Sequence, residues 1–93
     1  MKLALKAADM SPSEVDYINA HATSTLIGDA VESKAIRALF KNRADKIAIS
    51  ATKSLVGHTL GAAGAIGAIA TTLAIHTGQI HPTSNYDDPD PDC

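Results

Sequence analysis

The alternation of apolar and polar positions divides the chain into a strand, a helix, a second strand and a long helix, separated by polar loops. Leu3, Leu5 and Ala8 are apolar with Lys2 and Lys6 between them, a pattern that predicts the end of a helix over residues 3–8 with no N-cap ahead of it. Ser11-Pro12-Ser13-Glu14 predicts a turn, because proline fixes φ and serine hydroxyls close local hydrogen bonds. Val15 to Ala20 is short and rich in β-formers, so a strand is expected there, followed by a polar loop over His21 to Thr25. A helix is predicted from Asp29, with Asp29 as N-cap and Glu32 in the capping-box position. Its apolar stripe is Val31, Ala35, Ala38 and Leu39, widened by Ile36 and Phe40, and it ends over Asn42 to Asp45.

Ile47 to Ala51 predicts the second strand, and Thr52 to His58 a second polar loop. The long helix is expected from about Thr59 to Thr77, with Gly78 at a C-cap position. Pro82 to Cys93 contains three of the chain's four prolines and no periodicity, which predicts extended surface chain. A strand, a crossover helix and a second strand give parallel strands with a right-handed crossover. Parallel strands bring both following loops to one sheet edge, where ligands bind in open α/β folds. The His21 loop and the His58 loop are therefore expected to face each other across one site.

Composition limits what such a chain can be. Its 93 residues support one domain at the most. The hydrophobic fraction is 45%, but 17 residues are alanine and three are aromatic, so a self-sufficient core is not expected. The reading is a partial domain over 1–93, with no complete independent domain. The net charge of −2 gives no electrostatic footprint for nucleic acid. Four acids (Asp87, Asp88, Asp90, Asp92) fall in the last seven residues. The N-terminal residues lack an apolar run of signal-peptide length. Leu60 to Ile75 is weakly polar for 16 residues but consists largely of Ala and Gly, with Thr71 and Thr72 inside, so a buried helix is expected there rather than a membrane span.

The chemistry left open by the residue types is narrow. Cys93 is the single cysteine, so no internal disulfide and no multi-cysteine zinc site can form. Four histidines raise the question of a metal, but no acid or thiol stands at ligand spacing beside His21 and His58 or beside His76 and His81, so no metal site is expected. His76 and His81 are expected near the surface. Gly57, Gly61, Gly64 and Gly67 do not make a dinucleotide fingerprint, and Thr52 rather than glycine precedes Lys53, so no phosphate loop is predicted. Their spacing predicts close backbone approach to a neighbour. No G-x-S-x-G elbow is present, and Cys93 lies in an acidic tail that disfavours its thiolate. Loop histidines, a lysine and an acid remain. At the mouth of the long helix, whose positive end disfavours imidazolium, a neutral His58 can donate a hydrogen bond to a developing oxyanion; the alternative is that both are ordinary polar loop residues.

Asp16 to Thr25, with Gly28-Asp29, resembles the first histidine motif of type I and II β-ketoacyl-acyl-carrier-protein synthases. Thr52 to His58, with Leu60-Gly61-Ala62-Ala63-Gly64, is similar to their second histidine motif and buried helix, and Pro82-Thr83, Asn85 and Pro89-Asp90-Pro91 to the segment that follows. The resemblance covers nearly the whole chain. It implies an α/β thiolase-like fold, of which this is a strand-helix-strand-helix piece from the C-terminal half. It also implies decarboxylative Claisen condensation in fatty acid synthesis, with His21 and His58 acting on a malonyl thioester, Lys53 in the second motif, and Glu32 supporting the network.

The family's nucleophilic cysteine lies in its N-terminal half; Cys93 matches no catalytic position, and no nucleophile is assigned within the chain. The implied partners are an acyl carrier protein and a second copy of the enzyme, with no cofactor and no nucleic acid or membrane span, in bacterial cytoplasm or an organelle. A non-catalytic chain-length factor or dimer scaffold is the rival reading, and a small independent binding module a third. Type III condensing enzymes are less similar, having asparagine where His58 stands. Modular polyketide synthases differ at Asn19, Ser24 and Ala30. Ala22 replaces the commoner glycine after His21.

Overall fold

A computed structural model describes all residues from Met1 to Cys93. Helix α1 (Lys2–Ala7) is followed by a 3₁₀ turn at Pro12–Glu14, and strand β1 (Tyr17–Asn19) leads through the first loop into helix α2 (Gly28–Phe40). A second 3₁₀ segment, Lys41–Lys46, precedes strand β2 (Ala48–Ser50). A short helix, α3 (Lys53–Val56), and a 3₁₀ turn at Leu60–Ala62 then precede helix α4 (Ala63–Thr77).

The two strands pair in parallel, with Tyr17 opposite Ala48, Ile18 opposite Ile49 and Asn19 opposite Ser50. The pairing extends by one bond at each end: Ala48 N–H donates to Asp16 O at 3.0 Å, and Ala20 N–H to Ser50 O at 2.9 Å. The expected topology is thus present, with shorter ladders than the apolar runs suggested. Ser11 N–H donates to Glu14 Oε2 at 2.8 Å across the turn between α1 and β1. Hydrogen bonds from the Ser11 backbone and side chain hold the Glu14 carboxyl below its ordinary range.

The core lies between α2 and the strands: Ile36, Phe40, Ala44 and Ile47 are buried, with Leu5, Val15, Ile18 and Leu39 packed against them. Of the predicted stripe, Ile36 and Phe40 are buried and Leu39 packs against them, while Val31, Ala35 and Ala38 are exposed. The larger side chains win because only they reach the strand and the 3₁₀ segment below.

Only nine of 93 residues are buried. The surface is 6734 Å², against about 5,100 Å² for a compact monomer of this mass. Much of the excess lies on α4, where Ile69, Leu73 and Ile75 are exposed and Ala74 alone is buried. Residues Leu60–Thr77 are long and apolar enough to cross a membrane by length and composition, with mean hydropathy 1.4 and 6% buried. The expectation of a buried helix is not met within this chain, because too few of its own residues reach α4 to cover it. The expected close backbone approach is not met: at Gly67 a Cβ would make only ordinary contact with the Asn19 side chain, and Gly57, Gly61 and Gly64 face open space. The helix also starts later than predicted, since Leu60–Ala62 winds as 3₁₀.

Gly78 ends α4 as expected, in the left-handed region at φ 71°, and its N–H donates to Ala74 O at 2.9 Å. In the full-length protein, Phe40→Ala is expected to destabilise the fold by about 3 kcal/mol, and Gly78→Ala by about 1 kcal/mol. Chemical denaturation of the two variants measures both. Equal losses would show that the α2 core is not the main source of stability.

Candidate functional site

Both loops after the strands emerge at the same sheet edge, and their histidines meet. The rings of His21 and His58 lie edge to face, with centroids 5.7 Å apart and planes at 87°. His58, Lys53 and Ser54 line a cleft of about 460 Å³, with Thr23, Thr25 and Asp29 from the first loop and α2. A larger hollow of about 590 Å³ between α2 and β2 is lined by Ile36 and Ile49 and contains no histidine; of the two histidines, His58 lines the smaller cleft and His21 lines neither.

The first loop is held from below by acids of α2. Glu32 Oε1 accepts from His21 N–H and Oε2 from Ala22 N–H, each at 2.8 Å. Asp29 Oδ1 accepts from Ser24 N–H at 3.1 Å. These bonds overturn the predicted capping box. Ile27 is the N-cap residue, and Thr25 Oγ1 accepts from the Gly28 N–H at 3.1 Å. The acids turn outward because the loop offers them three amides. Ala22 and Ser24 both have positive φ, 32° and 58°, which turns the chain back over the helix. Ala22 thus occupies a conformation that glycine adopts freely, which gives the Gly-to-Ala difference at this position a physical meaning.

His58 is fixed by its own chain. Leu60 N–H donates to His58 Nδ1 at 3.1 Å, which leaves the ring proton on Nε2. Local backbone and not the end of a long helix therefore sets this tautomer, since α4 begins only at Ala63. Gly57, at φ 78°, carries the chain out of α3 and into this turn. Lys53 is half-buried and forms no ion pair. Glu32 reaches the backbone of His21, and neither imidazole nor Lys53 is among its hydrogen-bond partners.

The other two histidines part company. His76 is exposed in the last turn of α4, as expected. His81 is half-buried, contrary to expectation, because Thr52 Oγ1 lies 2.8 Å from its Nε2. Asn19 and Thr52, which sequence reasoning passed over, complete this cluster; the signal was a lone amide at the end of an apolar strand. The tail is pinned nearby, since Thr83 Oγ1 accepts from Ala51 N–H at 3.1 Å and Ser54 Oγ from Ser84 N–H at 2.8 Å. The segment is surface chain without helix or strand, as expected, and is anchored at its start. Cys93 is exposed at its end.

Two parallel strands with crossover helices and a histidine in each following loop define a piece of a thiolase-like α/β fold. The chain belongs to the family of β-ketoacyl synthase C-terminal domains, whose model matches residues 1–87. It is 53% identical over 90 residues to the chloroplastic 3-oxoacyl-[acyl-carrier-protein] synthase I of Hordeum vulgare, covering 97% of this chain and 19% of that protein. Among solved structures it is similar to the ketosynthase in a complex described as a type II PKS acyl-carrier protein in complex with its ketosynthase bound to the hexaketide. The match has TM-score 0.95 and 48% identity, and covers 99% of this chain and 22% of that one. It is similar also to the ishigamide ketosynthase/chain length factor, with TM-score 0.92 and 44% identity, covering 99% of this chain and 22% of that one. The chain spans about a fifth of the length of these proteins.

Glu32→Gln places an amide N–H against one of the two loop amides and removes a charge-assisted bond. Hydrogen exchange at His21 and Ala22 is expected to quicken by about tenfold or more, with the middle of α2 unchanged. Unchanged exchange at both amides would show that the loop is held by something other than this carboxylate.

Proposed function

We propose that this chain is part of a 3-oxoacyl-[acyl-carrier-protein] synthase and supplies the two histidines of a decarboxylating condensation. The observation that carries this reading is the meeting of His21 and His58 at the strand edge, 5.7 Å apart, in a chain of this family. The nucleophile that holds the growing acyl chain belongs to another part of the protein, as does most of the acyl pocket. Acyl carrier protein delivers acyl and malonyl groups, and the enzyme works as a homodimer in bacterial cytoplasm or an organelle.

In the proposed reaction the malonyl carboxylate leaves as carbon dioxide. The electron pair of the broken carbon–carbon bond passes to the thioester as an enolate. The enolate carbon then attacks the acyl thioester carbonyl and expels the enzyme's thiolate. The barrier to the first step is set by charge arriving on the thioester oxygen. His58 Nε2–H is a donor for that oxygen because Leu60 N–H occupies Nδ1. His21, its backbone clamped by Glu32, supplies the second donor. Lys53, the only Lys or Arg lining the cleft, provides positive charge.

His58→Ala removes an enolate donor without touching the acyl-accepting group. The full-length variant is expected to take up acyl groups from an acyl thioester, yet to lose malonyl decarboxylation and condensation by about 10²-fold or more. Radiolabelled acyl transfer and carbon dioxide release, assayed separately, test this. Near-normal carbon dioxide release would overturn the role of His58, as would equal loss of both steps in a folded protein.

A chain-length factor is the second reading, favoured by the similarity to the ishigamide ketosynthase/chain length factor. Sequence upstream of this segment separates the two, since cysteine at the nucleophile position supports the enzyme and another residue there the factor.

Residues 1–93 are further proposed to be a partial domain. Expressed alone, they are expected to aggregate or to unfold without a cooperative transition, because Ile69, Leu73 and Ile75 of α4 lack cover. A monomer with a sharp thermal transition would refute this.

A further inference from the structure

Beneath the two loops lies a half-buried polar cluster, with Thr52 buried at its centre, that the condensation does not use directly. Asn19 Nδ2 donates to Thr52 Oγ1 at 2.7 Å and to Gly67 O at 3.2 Å, and lies 3.4 Å from Thr71 Oγ1. Because Gly67 O can only accept, the amide of Asn19 must present its nitrogen here. Thr52 Oγ1 therefore receives a proton from Asn19 and has its own hydroxyl proton free. Thr52 is only 7% exposed, so that proton needs an acceptor within the protein. His81 Nε2, at 2.8 Å, is that acceptor. The other ring nitrogen, His81 Nδ1, lies 3.0 Å from Pro82 O, which can only accept. Both ends of the ring thus agree on one form, with the proton on Nδ1 and Nε2 bare. Ser50 Oγ, 3.4 and 3.5 Å from the two ring nitrogens, makes its short bond of 2.8 Å with Tyr17 OH instead.

We propose that His81 is a positioning residue for the condensation: through Thr52 and Asn19 its Nε2 locks together the ends of the two strands and α4, and so sets the separation of His21 and His58. Asn19 is two residues before His21 on the chain. Thr52 is the N-cap residue of α3, where its carbonyl oxygen accepts from Leu55 N–H at 3.0 Å and Val56 N–H at 3.2 Å. Gly67 belongs to the helix that follows His58. Three separate segments of the site are therefore joined through side chains of Asn19 and Thr52, and His81 supplies the acceptor that orients the Thr52 hydroxyl. The role rests on the functional reading above, but the form of the ring does not.

The test uses the full-length protein with ¹⁵N-labelled histidine, and His81→Leu and His81→Gln variants. The ¹⁵N resonances of His81 are expected to show the Nδ1-protonated form at neutral pH, assigned by their loss in either variant. His81→Leu is expected to lower kcat for condensation by about tenfold or more with little change in KM, since small misplacement of catalytic groups is costly. His81→Gln, whose side-chain oxygen can accept from Thr52, is expected to recover activity to within about threefold of the wild type, which simple filling of space by leucine would not do. An Nε2-protonated ring would overturn the proposal. So would a leucine variant as active as wild type, or a glutamine variant no better than leucine. A wild-type protein that fails to condense speaks against the proposed function alone, and the resonances of His81 then decide the placement of the ring by themselves.

Discussion

The site depends on the parallel pairing of two three-residue strands. In this register Ile18 turns toward the core of Ile36, Phe40, Ala44 and Ile47, while Tyr17 and Asn19 turn to the opposite face. There Tyr17 OH meets Ser50 Oγ at 2.8 Å and Asn19 meets Thr52 at 2.7 Å. A slip of one residue would carry Ile18 out of the core and leave Asn19 without Thr52 or Gly67, so apolar and polar contacts enforce the same register. Because the strands run the same way, this one constraint also delivers both histidine loops to a common edge.

Much of that was legible in the chain. Periodicity and length separated strands from helices, the strand-helix-strand order implied parallel pairing, and parallel pairing implied that the loops of His21 and His58 meet. Gly78 was legible because a left-handed helix end has a residue preference of its own. Failures arose where one residue pattern serves two geometries. Asp29 and Glu32 have capping-box spacing, yet their carboxylates bond the amides of His21, Ala22 and Ser24, because positive φ at Ala22 and Ser24 folds the loop over the first turn of α2. Backbone sign is not written in local composition. His81 was missed for a related reason: its partners Asn19 and Thr52 are distant in sequence, and each alone is an ordinary polar residue. The apolar stripe of α2 was drawn too wide, taking in Val31, Ala35 and Ala38, because spacing counts alanine and phenylalanine alike, whereas burial follows reach and area.

Helix α4 shows what a pattern of small residues can and cannot specify. Its alanines and glycines give little area to any single contact, so α4 is held to the strands mainly by polar bonds, Asn19 Nδ2 to Gly67 O at 3.2 Å among them. Such an attachment fixes position but contributes little hydrophobic stabilisation. Ile69, Leu73 and Ile75 point to open space in consequence, and the surface exceeds that of a compact monomer. Length and hydropathy alone would class this helix with membrane spans. The proposal that residues 1–93 are a partial domain offers a different account, in which other parts of the protein would cover α4.

Electrostatic catalysis needs donors whose direction is settled before charge develops, and the local bonds here act on direction. Leu60 N–H consumes the acceptor nitrogen of His58 and so points its proton at the cleft side of the ring. Glu32 spends both oxygens on consecutive amides of the His21 loop, which orders the backbone. Had Glu32 bonded an imidazole instead, that ring would have committed a proton to the carboxylate and lost a donor for the substrate. Under the proposed function, negative charge engaged by backbone amides would also be less able to oppose the carboxylate of a malonyl group. Lys53, without an acidic partner, keeps its charge available for the same anion. The acids thus shape the loop, and they leave both imidazoles and Lys53 unengaged by any carboxylate.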